Sequence, residues 1–600
     1  MSIVAMRRVT LCGLDAEKES VLGGLQALGV MHLVRLRQAP PLQPQDPARL
    51  RRTATAARHL RDAPDQALSW PQEHPFDLDA VVEQVLANRA LLRQLRDRRD
   101  ELQQRLAAIA PFGELRLPPL ETLGGQRLWF YLLPVRARTM LHQLALPWCL
   151  VGQDGGVLHV VLISPQEPPA DILPVPRVAV GAVPRSALKA ELAANAIAIE
   201  QTQAARMELT RWRLALGAHL AAAEDGEDLR AAGRQTLDDE GVFALQGWVP
   251  VDAVSAVQAL AATHRLACIV ETPDESDLPP TLLRPPPSVA GGADLTGFYT
   301  SPAYHAWDPS VVVFASFSLF FAMILGDAGY ALLLVALTAW LWRRMGNAAG
   351  RRMRLLLASI AGTSCVYGVL AGSYFGLAPP AGSFLARLHI VDVYDFDAMM
   401  ALSVGVGALH ITVALGTVAW LNRHRGTGLT ALGWIGVIWS GMLLWRGHGP
   451  TPLGIAAESL GSIGLVGGLS TVFLGAVLRP HEAGMLGWAK RAGSGAMALV
   501  GVTKLFSDLL SYLRLFALGL ASASLATTFN NLAAGIRASH PGLGFLLAIV
   551  VLLLGHGINI LLGLMGGVVH GLRLNFIEFF GWAIPDEGYS FRAFAKREVP

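Results

Sequence analysis

The stretch TKLFSDLLSYLRLFALGLASASLATTFNNL, residues 503–532, decides the fold class of this chain. It is mainly apolar for longer than the roughly 20 residues that a helix needs to cross a bilayer. It also contains ionisable side chains, and an arginine at the centre of a span costs at least ~2.5–3.5 kcal/mol. The stretch therefore predicts a membrane helix whose charges face protein or water.

The charges of this stretch differ in their local partners. Lys504 and Asp508 are four residues apart on a helix and can form an ion pair one turn before Ser511. Arg514 has no carboxylate within one turn, so it requires a partner on another helix or another chain. An internal salt bridge is the structural alternative for Arg514.

A second apolar segment with polar residues on one helix face is GHGINILLGLMGGVVHGLRLNFIEFFGW, residues 555–582. At ~100° per residue, one broad face collects these polar and small residues: His556, Asn559, Gly563, Gly567, His570, Arg573 and Glu578. The two histidines suit a proton relay or a helix–helix hydrogen bond. Arg573 either belongs to the same path or extends its charged end to the membrane interface (snorkelling). Glu578 is either a wet entrance group or a partner of Arg573.

Other apolar segments extend the membrane part back to Asp308. The clear ones, including the two above, cover about 354–376, 398–421, 428–446, 455–478, 505–533 and 544–577. The stretch 310–343 crosses once, or twice with a break at Gly326–Gly329. Two crossings put every basic loop on the cytoplasmic side, as the positive-inside rule requires. We therefore predict eight spans, with both termini in the cytoplasm.

Composition separates this membrane half from a soluble half. The chain has 600 residues, of which 52% are hydrophobic and 16% charged, and its mean hydropathy is +0.41. Of the 95 charged residues, 64 lie in the first 300 positions and 31 in the last 300. The net charge of +3 provides no electrostatic case for nucleic acid. The four cysteines have no metal-site spacing, and the N-terminus lacks a signal-peptide core.

The soluble half reads as an α/β dumbbell. Strands are predicted near 6–12, 31–36, 128–134, 157–163, 242–249 and 266–270, with a helix over 15–29. Heptad-like apolar spacing predicts two coiled-coil helices, about 82–109 and 187–222, although Asn88 and Arg99 fall on seam positions. The alternative is two ordinary α/β domains with charged surface helices. We find no Walker A loop, GxGxxG, HExxH or nucleophile elbow in this half, so we expect neither catalysis nor a cofactor.

These patterns define the domain boundaries. Residues 1–290 form cytoplasmic α/β lobes joined by the coiled coil, with a distal lobe at about 111–185. A linker, 279–307, begins with PPTLLRPPPSVAGGAD, which is too rich in Pro and Gly for helix or strand. The membrane domain covers 308–582, and a cytoplasmic tail covers 583–600.

Several motifs resemble the membrane stator subunit of V-type and A-type rotary ATPases, called the a subunit or subunit I. The specific ones are LSYLRLFALGLA at 510–521 and GGVVHGLRLNFIEFFG at 566–581. Supporting ones are FFAMILGDAGYALLL at 320–334, GSYFG at 372–376, GALHI at 407–411 and LQGWVP at 245–250. They span nearly the whole chain in the family's order. The cytoplasmic dumbbell and the eight spans are also the family's architecture.

The resemblance implies a mechanism. The arginine matching Arg514 attracts the membrane-embedded glutamate of a passing rotor subunit and blocks leakage between two half-channels. Arg573 matches the family's second arginine. The ion-path residues would be Arg514, Arg573, His570, His556, Glu578, Asn559, Ser511 and Ser522. Ser522 and Gly563 stand where eukaryotic members carry His and Glu.

The resemblance also implies partners and a location. The last two membrane helices would face a rotor ring of c- or K-type proteolipids, and the soluble half would hold coiled-coil peripheral stalks. The chain would be a non-catalytic subunit of the cell's inner (plasma) membrane that couples translocation of an ion, taken as the proton, to ATP synthesis or hydrolysis. Two alternatives stay open: a self-contained secondary transporter and a non-conducting scaffold.

Overall fold

The computed structural model describes residues 2–37, 46–64, 76–117, 119–169, 171–274, 276–447, 452–478, 485–539, 542–584 and 587–597. Part of the predicted basic loop at 479–491 and the end of the tail lie outside these residues. The chain divides into two compact units. One contains Met1–Cys12, Val30–Val34 and Leu245–Ala593, and the other contains Gly13–Gly29, Arg35–Ala244 and Phe594–Pro600.

The N-terminal half has mixed α/β structure. Its strands are β1 Met6–Leu14, β2 His32–Val34, β3 Arg127–Pro134, β4 Trp148–Asp154, β5 Val157–Ser164, β6 Arg177–Val178, β7 Leu237–Asp239, β8 Val242–Pro250 and β9 Ala267–Glu271. Its helices are α1 Lys18–Leu28, α2 Pro47–Arg61, α3 Leu78–Ile109, α4 Arg138–Leu141, α5 Arg185–Leu209, α6 Arg213–Gly233 and α7 Val254–Thr263. All the strands predicted from the sequence are confirmed.

The C-terminal half is helical. Its helices are α8 Ala290–Tyr299, α9 Ser310–Leu325, α10 Ala328–Leu341, α11 Ala348–Leu370, α12 Phe384–Arg387, α13 Phe396–Leu421, α14 Gly426–Arg446, α15 Pro452–Val477, α16 Met485–Ser511, α17 Leu513–Ser539, α18 Leu543–Arg573 and α19 Phe580–Ala583. A π-helix, Leu574–Phe579, joins the last two. Two short strands, β10 Ser301–Pro302 and β11 Glu587–Gly588, pair with each other.

One sheet combines strands from both ends of the N-terminal half. Its order is β2-β8-β1-β9, with β7 paired to β8. Strand β1 pairs antiparallel with β9, from Arg8 opposite Glu271 to Cys12 opposite Ala267. A second sheet, β4-β5-β3-β6, lies between the two long helices in sequence. In β3, Trp129, Tyr131 and Leu133 pack into one core while Phe130 packs into another, because alternate residues face opposite sides of a strand.

The two long helices form an antiparallel pair. Arg98 of α3 bonds to Glu191 of α5, while Asn88 donates to the carbonyl of Thr202 at 2.9 Å. Asn88 is thus a buried seam residue whose side chain is satisfied. The predicted continuous helix 187–222 is wrong in one respect: a 3₁₀ turn at Thr210–Trp212 separates α5 from α6, with Trp212 buried in the core.

The segment predicted to be too rich in Pro and Gly for a helix contains α8. The prediction failed because the glycines serve close packing here. A Cβ at Gly292 would lie 2.0 Å from the carbonyl oxygen of Ser310, so only glycine allows this approach of α8 to the start of α9. Thr296, one turn later, is fully buried.

Among the described residues, six helical stretches are long and apolar enough to cross a membrane. The predicted break of 310–343 is confirmed, since α9 ends at Leu325 and α10 begins at Ala328. These two helices, at 16 and 14 residues, are shorter than a standard span. Eight crossings therefore stay a prediction.

The predicted span 505–533 lies within a longer candidate span, Ala489–Ser539, whose helix is interrupted at Tyr512. The amide of Tyr512 bonds to the carbonyl of Leu509, and the amide of Leu515 bonds to that of Tyr512. These i−3 bonds replace the i−4 bonds of an α-helix. The stretch Ala489–Ser539 has 51 residues, about 75 Å of helix, far more than the roughly 30 Å of a bilayer core. It therefore either extends beyond the membrane or is strongly tilted.

Asp327 joins two loops inside the helical part. Its Oδ1 accepts from the amides of Tyr330 (3.1 Å) and Phe375 (2.9 Å). Its Oδ2 accepts from the hydroxyl of Ser373 (2.6 Å) and the amide of Gly376 (2.9 Å). The carboxylate is 4% exposed, and four donors compensate its burial. It ties the α9–α10 turn to the loop after α11.

We expect Asp327→Ala to lower the free energy of unfolding by about 3–5 kcal/mol, because it leaves buried donors unsatisfied. Asp327→Asn keeps one acceptor oxygen and is expected to fall between Ala and the native residue. Thermal unfolding of the detergent-solubilised chain measures both. Asp397→Asn, at an exposed position in the first turn of α13, is the matched control. Equal melting of Asp327→Ala and this control would contradict the assignment.

Candidate functional site

The interruption at Tyr512 positions Arg514 in the first turn of α17. The Tyr512 side chain is fully buried, and its hydroxyl lies 2.9 Å from Nδ1 of His410 on α13. The imidazole of His410 stacks on Phe579, with ring centroids 4.3 Å apart. These contacts fix the backbone two residues before Arg514, so the start of α17 is held by α13 and by the π-helix.

The π-helix turns Glu578 inward. Its i→i+5 hydrogen bonds add a residue to the turn, so the residues after Arg573 no longer follow the 100° projection. Glu578 is 2% exposed, whereas Arg573 is exposed. Asn575 fills the widened turn, donating to the carbonyl of Gly571 (2.9 Å) and accepting from Ser316 of α9 (2.6 Å). The structure therefore does not support Glu578 as an exposed entrance group.

Arg514 and Glu578 face each other across α17 and the π-helix. Arg514 Nη1 lies 3.9 Å from Glu578 Oε1, too far for a hydrogen bond. Within the described part of the chain, neither Arg514 Nη1 nor Glu578 Oε2 has a hydrogen-bond partner, although both atoms are buried. Nδ1 of His570 is in the same state. This cluster contains opposite charges with unused donors and acceptors, which is an arrangement that can accept a water molecule or another ionisable group.

A second polar network surrounds Tyr330 of α10. The Tyr330 hydroxyl lies 2.7 Å from Nδ1 of His556 and accepts from Nδ2 of Asn559 at 3.0 Å. Asn559 also donates to the carbonyl of Ser522 at 2.9 Å. The other ring nitrogen of His556 lies 3.1 Å from the amide oxygen of Asn530. The structure thus brings together His556, Asn559 and Ser522 with two residues that were not singled out.

The predicted continuous polar face of α18 is divided into these two groups. Between them, Gly563 and Gly567 pack against α9. A Cβ at Gly567 would lie 2.6 Å from the ring of Phe321, and one at Gly563 would lie 3.1 Å from Leu325. The small residues serve close helix packing here.

The remaining predicted site residues have separate places. Nζ of Lys504 donates to the carbonyl of Gly581 (3.1 Å), and Oδ2 of Asp508 accepts from the indole of Trp582 (2.7 Å). The structure therefore gives Lys504 and Asp508 partners in α19 instead of the i,i+4 pair. Ser511 donates to the carbonyl of Ser507 on its own helix and also lies beside the carboxylate of Glu578.

A cavity of about 490 Å³ with several polar residues in its lining lies next to the Asp327 loop. Its polar lining consists of Ser373, His389, Asp392, Tyr394, Ser524 and Thr527. Ser373 bonds to Asp327, and Tyr394 bonds to Thr527 at 3.0 Å. The cavity therefore lies between α17 and the loop after α11. Asn530 of α17 donates to the carbonyl of Phe375 in the same loop at 2.8 Å.

The outer face of α18 is apolar and uncovered. In its most apolar stretch of 18 residues only 17% of the residues are buried, the lowest fraction among the six candidate spans. Large exposed side chains follow its length: Leu546, Val550, Leu553, Leu561, Met565 and Val569. A face of this size fits lipid or another apolar helix.

Sequence reasoning missed Tyr330, His410, Tyr512, Asn530 and Asp327. It searched for charged side chains and histidines within the last two apolar segments, whereas four of these residues occupy the GDAGY, GALHI and SYLRL motifs. Polar residues inside otherwise apolar motifs were the available signal. Within the described ranges, no cluster of three or more His, Cys, Asp or Glu residues could hold a metal ion.

We expect Tyr330→Phe to cost about 1–3 kcal/mol in thermal unfolding of the solubilised chain, because His556 and Asn559 each lose a hydrogen bond. Tyr367→Phe is the matched control. Its hydroxyl is buried on α11 without a hydrogen-bond partner among the described residues, so its removal is expected to be neutral or slightly stabilising. Equal effects of the two substitutions would show that the Tyr330 network does not contribute to stability.

No family model matches this chain. Curated relatives do. The chain is 30% identical over 435 residues to "V-type ATP synthase subunit I" of Chlamydia pneumoniae, which covers 60% of this chain and 62% of that protein. It is 27% identical over 628 residues to "V-type ATP synthase subunit I 1" of Treponema pallidum, which covers 96% and 97%. It is 31% identical over 379 residues to "A-type ATP synthase subunit I" of Pyrococcus abyssi, which covers 60% and 55%.

The chain therefore spans less than two thirds of the length of the chlamydial relatives, at 62%. A solved structure also matches, the crystal structure of the cytoplasmic N-terminal domain of subunit I, homolog of subunit a, of V-ATPase. It covers 44% of this chain and 99% of that chain, at 18% identity and a TM-score of 0.23. The resemblance stated from the motifs is confirmed, because these homologues are named V-type or A-type ATP synthase subunit I.

Proposed function

We propose that this chain is the membrane stator subunit of a V/A-type rotary ATPase, and that Arg514 is its central ion-translocating residue. The observation that carries the proposal is the incomplete pairing of Arg514. Its guanidinium is near Glu578 but is not hydrogen-bonded to it, and Nη1 is buried without a partner among the described residues. A buried cation with an unused donor can attract a second carboxylate.

The second carboxylate would belong to a rotor subunit that passes the outer face of α18. This face is apolar and uncovered along its length, as a sliding contact with lipid-facing helices requires. Arg514 would favour the ionised form of the rotor carboxylate and so release its proton. Glu578 would hold Arg514 in place between passing rotor subunits without neutralising it fully.

Two separate polar regions would serve as the half-channels. One would contain the Tyr330 network with the adjoining cavity beside Asp327. The other would contain His570, Arg573 and Glu578 towards the end of α18. Ser522 follows Arg514 by eight residues on α17, about 12 Å along the helix axis. The packing of Phe321 against Gly567 supports a separation between the two regions.

The orientation rests on the basic loops and their tryptophans. Arg344 lies 4.7 Å from the ring of Trp340, Arg354 lies 4.7 Å from that of Trp342, and Arg423 lies 5.4 Å from that of Trp420. Tryptophan is typical of membrane interfaces, and arginine is concentrated on the cytoplasmic side. We place this side, both termini, residues 1–290 and the tail in the cytoplasm of a cell with this complex in its inner membrane.

The partners follow from the same proposal. The rotor ring of proteolipid subunits would contact α17 and α18. Coiled-coil peripheral stalks would hold the N-terminal half still against the torque of the ATP-driven head. The chain itself would carry out no covalent chemistry, because ATP would be handled by other subunits.

Arg514→Ala is expected to abolish ATP-driven acidification of vesicles that contain the complete complex, while the complex stays assembled. The reason is the loss of the only charge proposed to release the rotor proton. Pumping is followed with a pH-sensitive dye, and assembly by native gel. Arg537→Ala, near the exposed end of the same helix, is the control and is expected to pump normally.

Glu578→Gln separates ion translocation from a purely structural salt bridge. We expect this variant to pump more slowly but not to stop, because Arg514 keeps its charge. A scaffold predicts that Arg514→Ala and Glu578→Gln both disrupt assembly, with partial rescue in the double variant. Normal pumping by Arg514→Ala would overturn the proposed role of Arg514.

A further inference from the structure

A basic cavity lies in the coiled-coil unit, where α2 ends beside α3 and α5. Its volume is about 950 Å³, which is in the range of small-molecule sites. The charged and titratable residues that line it are His59, Asp62, Arg89, Arg93, Arg96, Asp97 and Arg206. Among the described lining residues, four arginines against two aspartates leave an excess of two positive charges.

Arg206 is the buried arginine of this cavity, and its side chain is held by the backbone. It is 9% exposed, and its Nε donates to the backbone carbonyl of His59 at 3.0 Å, with Nη2 bonded to the same oxygen. No carboxylate lies within ion-pair distance of it in the described part of the chain. Burying a guanidinium without a counter-charge is costly. These two bonds use Nε and Nη2, and Arg206 is one of the residues that line the cavity.

Arg89 and Arg96 add unpaired charge on one face of α3. Neither forms an ion pair or a side-chain hydrogen bond with any described residue. Arginines a few residues further along the same helix do: Arg98 bonds to Glu191 and Glu101, and Arg99 bonds to Asp100. Arg93 is 4.0 Å from Asp97, a distance that allows only a weak attraction. Arg89 and Arg96 therefore keep unused donors at the cavity, although Asp62 and Asp97 also line it.

His59 experiences the positive charge of its surroundings. Burial lowers the pKa of its imidazole, and Arg206, Arg89 and Arg96 lower it further, against a hydrogen bond to Asn88 that raises it. Nε2 faces the amide oxygen of Asn88 at 3.2 Å, so Nε2 carries the proton of a neutral ring. The positive charge of the cavity thus resides on the arginines.

We propose that this cavity binds a small anion with a diphosphate group, either free or as part of a nucleotide. Guanidinium groups bind phosphate oxygens in a bidentate manner, with planar donors matched to two oxygens. Arg89 and Arg96 are seven residues apart, about 10 Å along the helix axis, with Arg206 fixed beside them. Three such donors suit a dianion or trianion better than a single monovalent group. The site is separate from the proposed ion path.

Titration calorimetry of the full chain in detergent tests the proposal, with pyrophosphate, ADP and orthophosphate as probes at constant ionic strength. We expect pyrophosphate to bind more tightly than orthophosphate. Arg89→Ala combined with Arg96→Ala is expected to weaken pyrophosphate binding by at least about tenfold, which corresponds to 1.4 kcal/mol. Arg99→Ala, on the same helix but outside the cavity and paired with Asp100, is the matched control and is expected to bind normally.

The probes also distinguish the source of the diphosphate. Binding of ADP about tenfold tighter than pyrophosphate supports a nucleotide, whereas equal binding supports the diphosphate group alone. Because Arg89 and Arg96 are exposed, the double variant is expected to fold, which circular dichroism checks. Three results would overturn the site: no binding of any probe, unchanged binding by the double variant, or an equal loss with Arg99→Ala.

Discussion

The carboxylate of Asp327 is the interaction on which the membrane part depends. It accepts one hydrogen bond from Tyr330, in the first turn of α10, and three from the loop Ser373–Gly376, which lies 46 to 49 residues after Asp327 in the sequence. A buried carboxylate without donors would be far too costly, and the donors without the carboxylate would be unsatisfied. This mutual requirement fixes the α9–α10 turn against the loop after α11. This contact holds Tyr330 and the cavity beside the loop in place.

The candidate site combines satisfied and unsatisfied polar groups. Around Tyr330, the side chains of His556, Asn559 and Asn530 are hydrogen-bonded to one another or to backbone. Around Arg514, three atoms of Arg514, His570 and Glu578 are buried without partners among the described residues. Satisfied networks make a region rigid. Buried polar groups without partners can accept a water molecule or another polar group, which the proposed transient partner of Arg514 would require.

Two departures from ideal α-helix create that site. The interruption at Tyr512 makes α17 begin at Leu513, one residue before Arg514, and the π-helix after Arg573 rotates Glu578 inward. Each departure is stabilised by a polar contact with another helix. Tyr512 bonds to His410 of α13, and Asn575 bonds to Ser316 of α9. Local helix geometry at the site is therefore a consequence of tertiary packing.

The sequence by itself determined the division into an α/β half and a membrane half, because charge and apolar length depend only on composition along the chain. It also predicted the strands, the two long helices of the N-terminal half and the break at Gly326–Gly329, and the role of Arg514 stays a proposal. It did not determine that Glu578 is the neighbour of Arg514, since a uniform 100° projection cannot contain a π-helix. Nor did it determine that Lys504 and Asp508 bond to α19. These outcomes depend on which side chains meet across helices, and only the tertiary structure decides that.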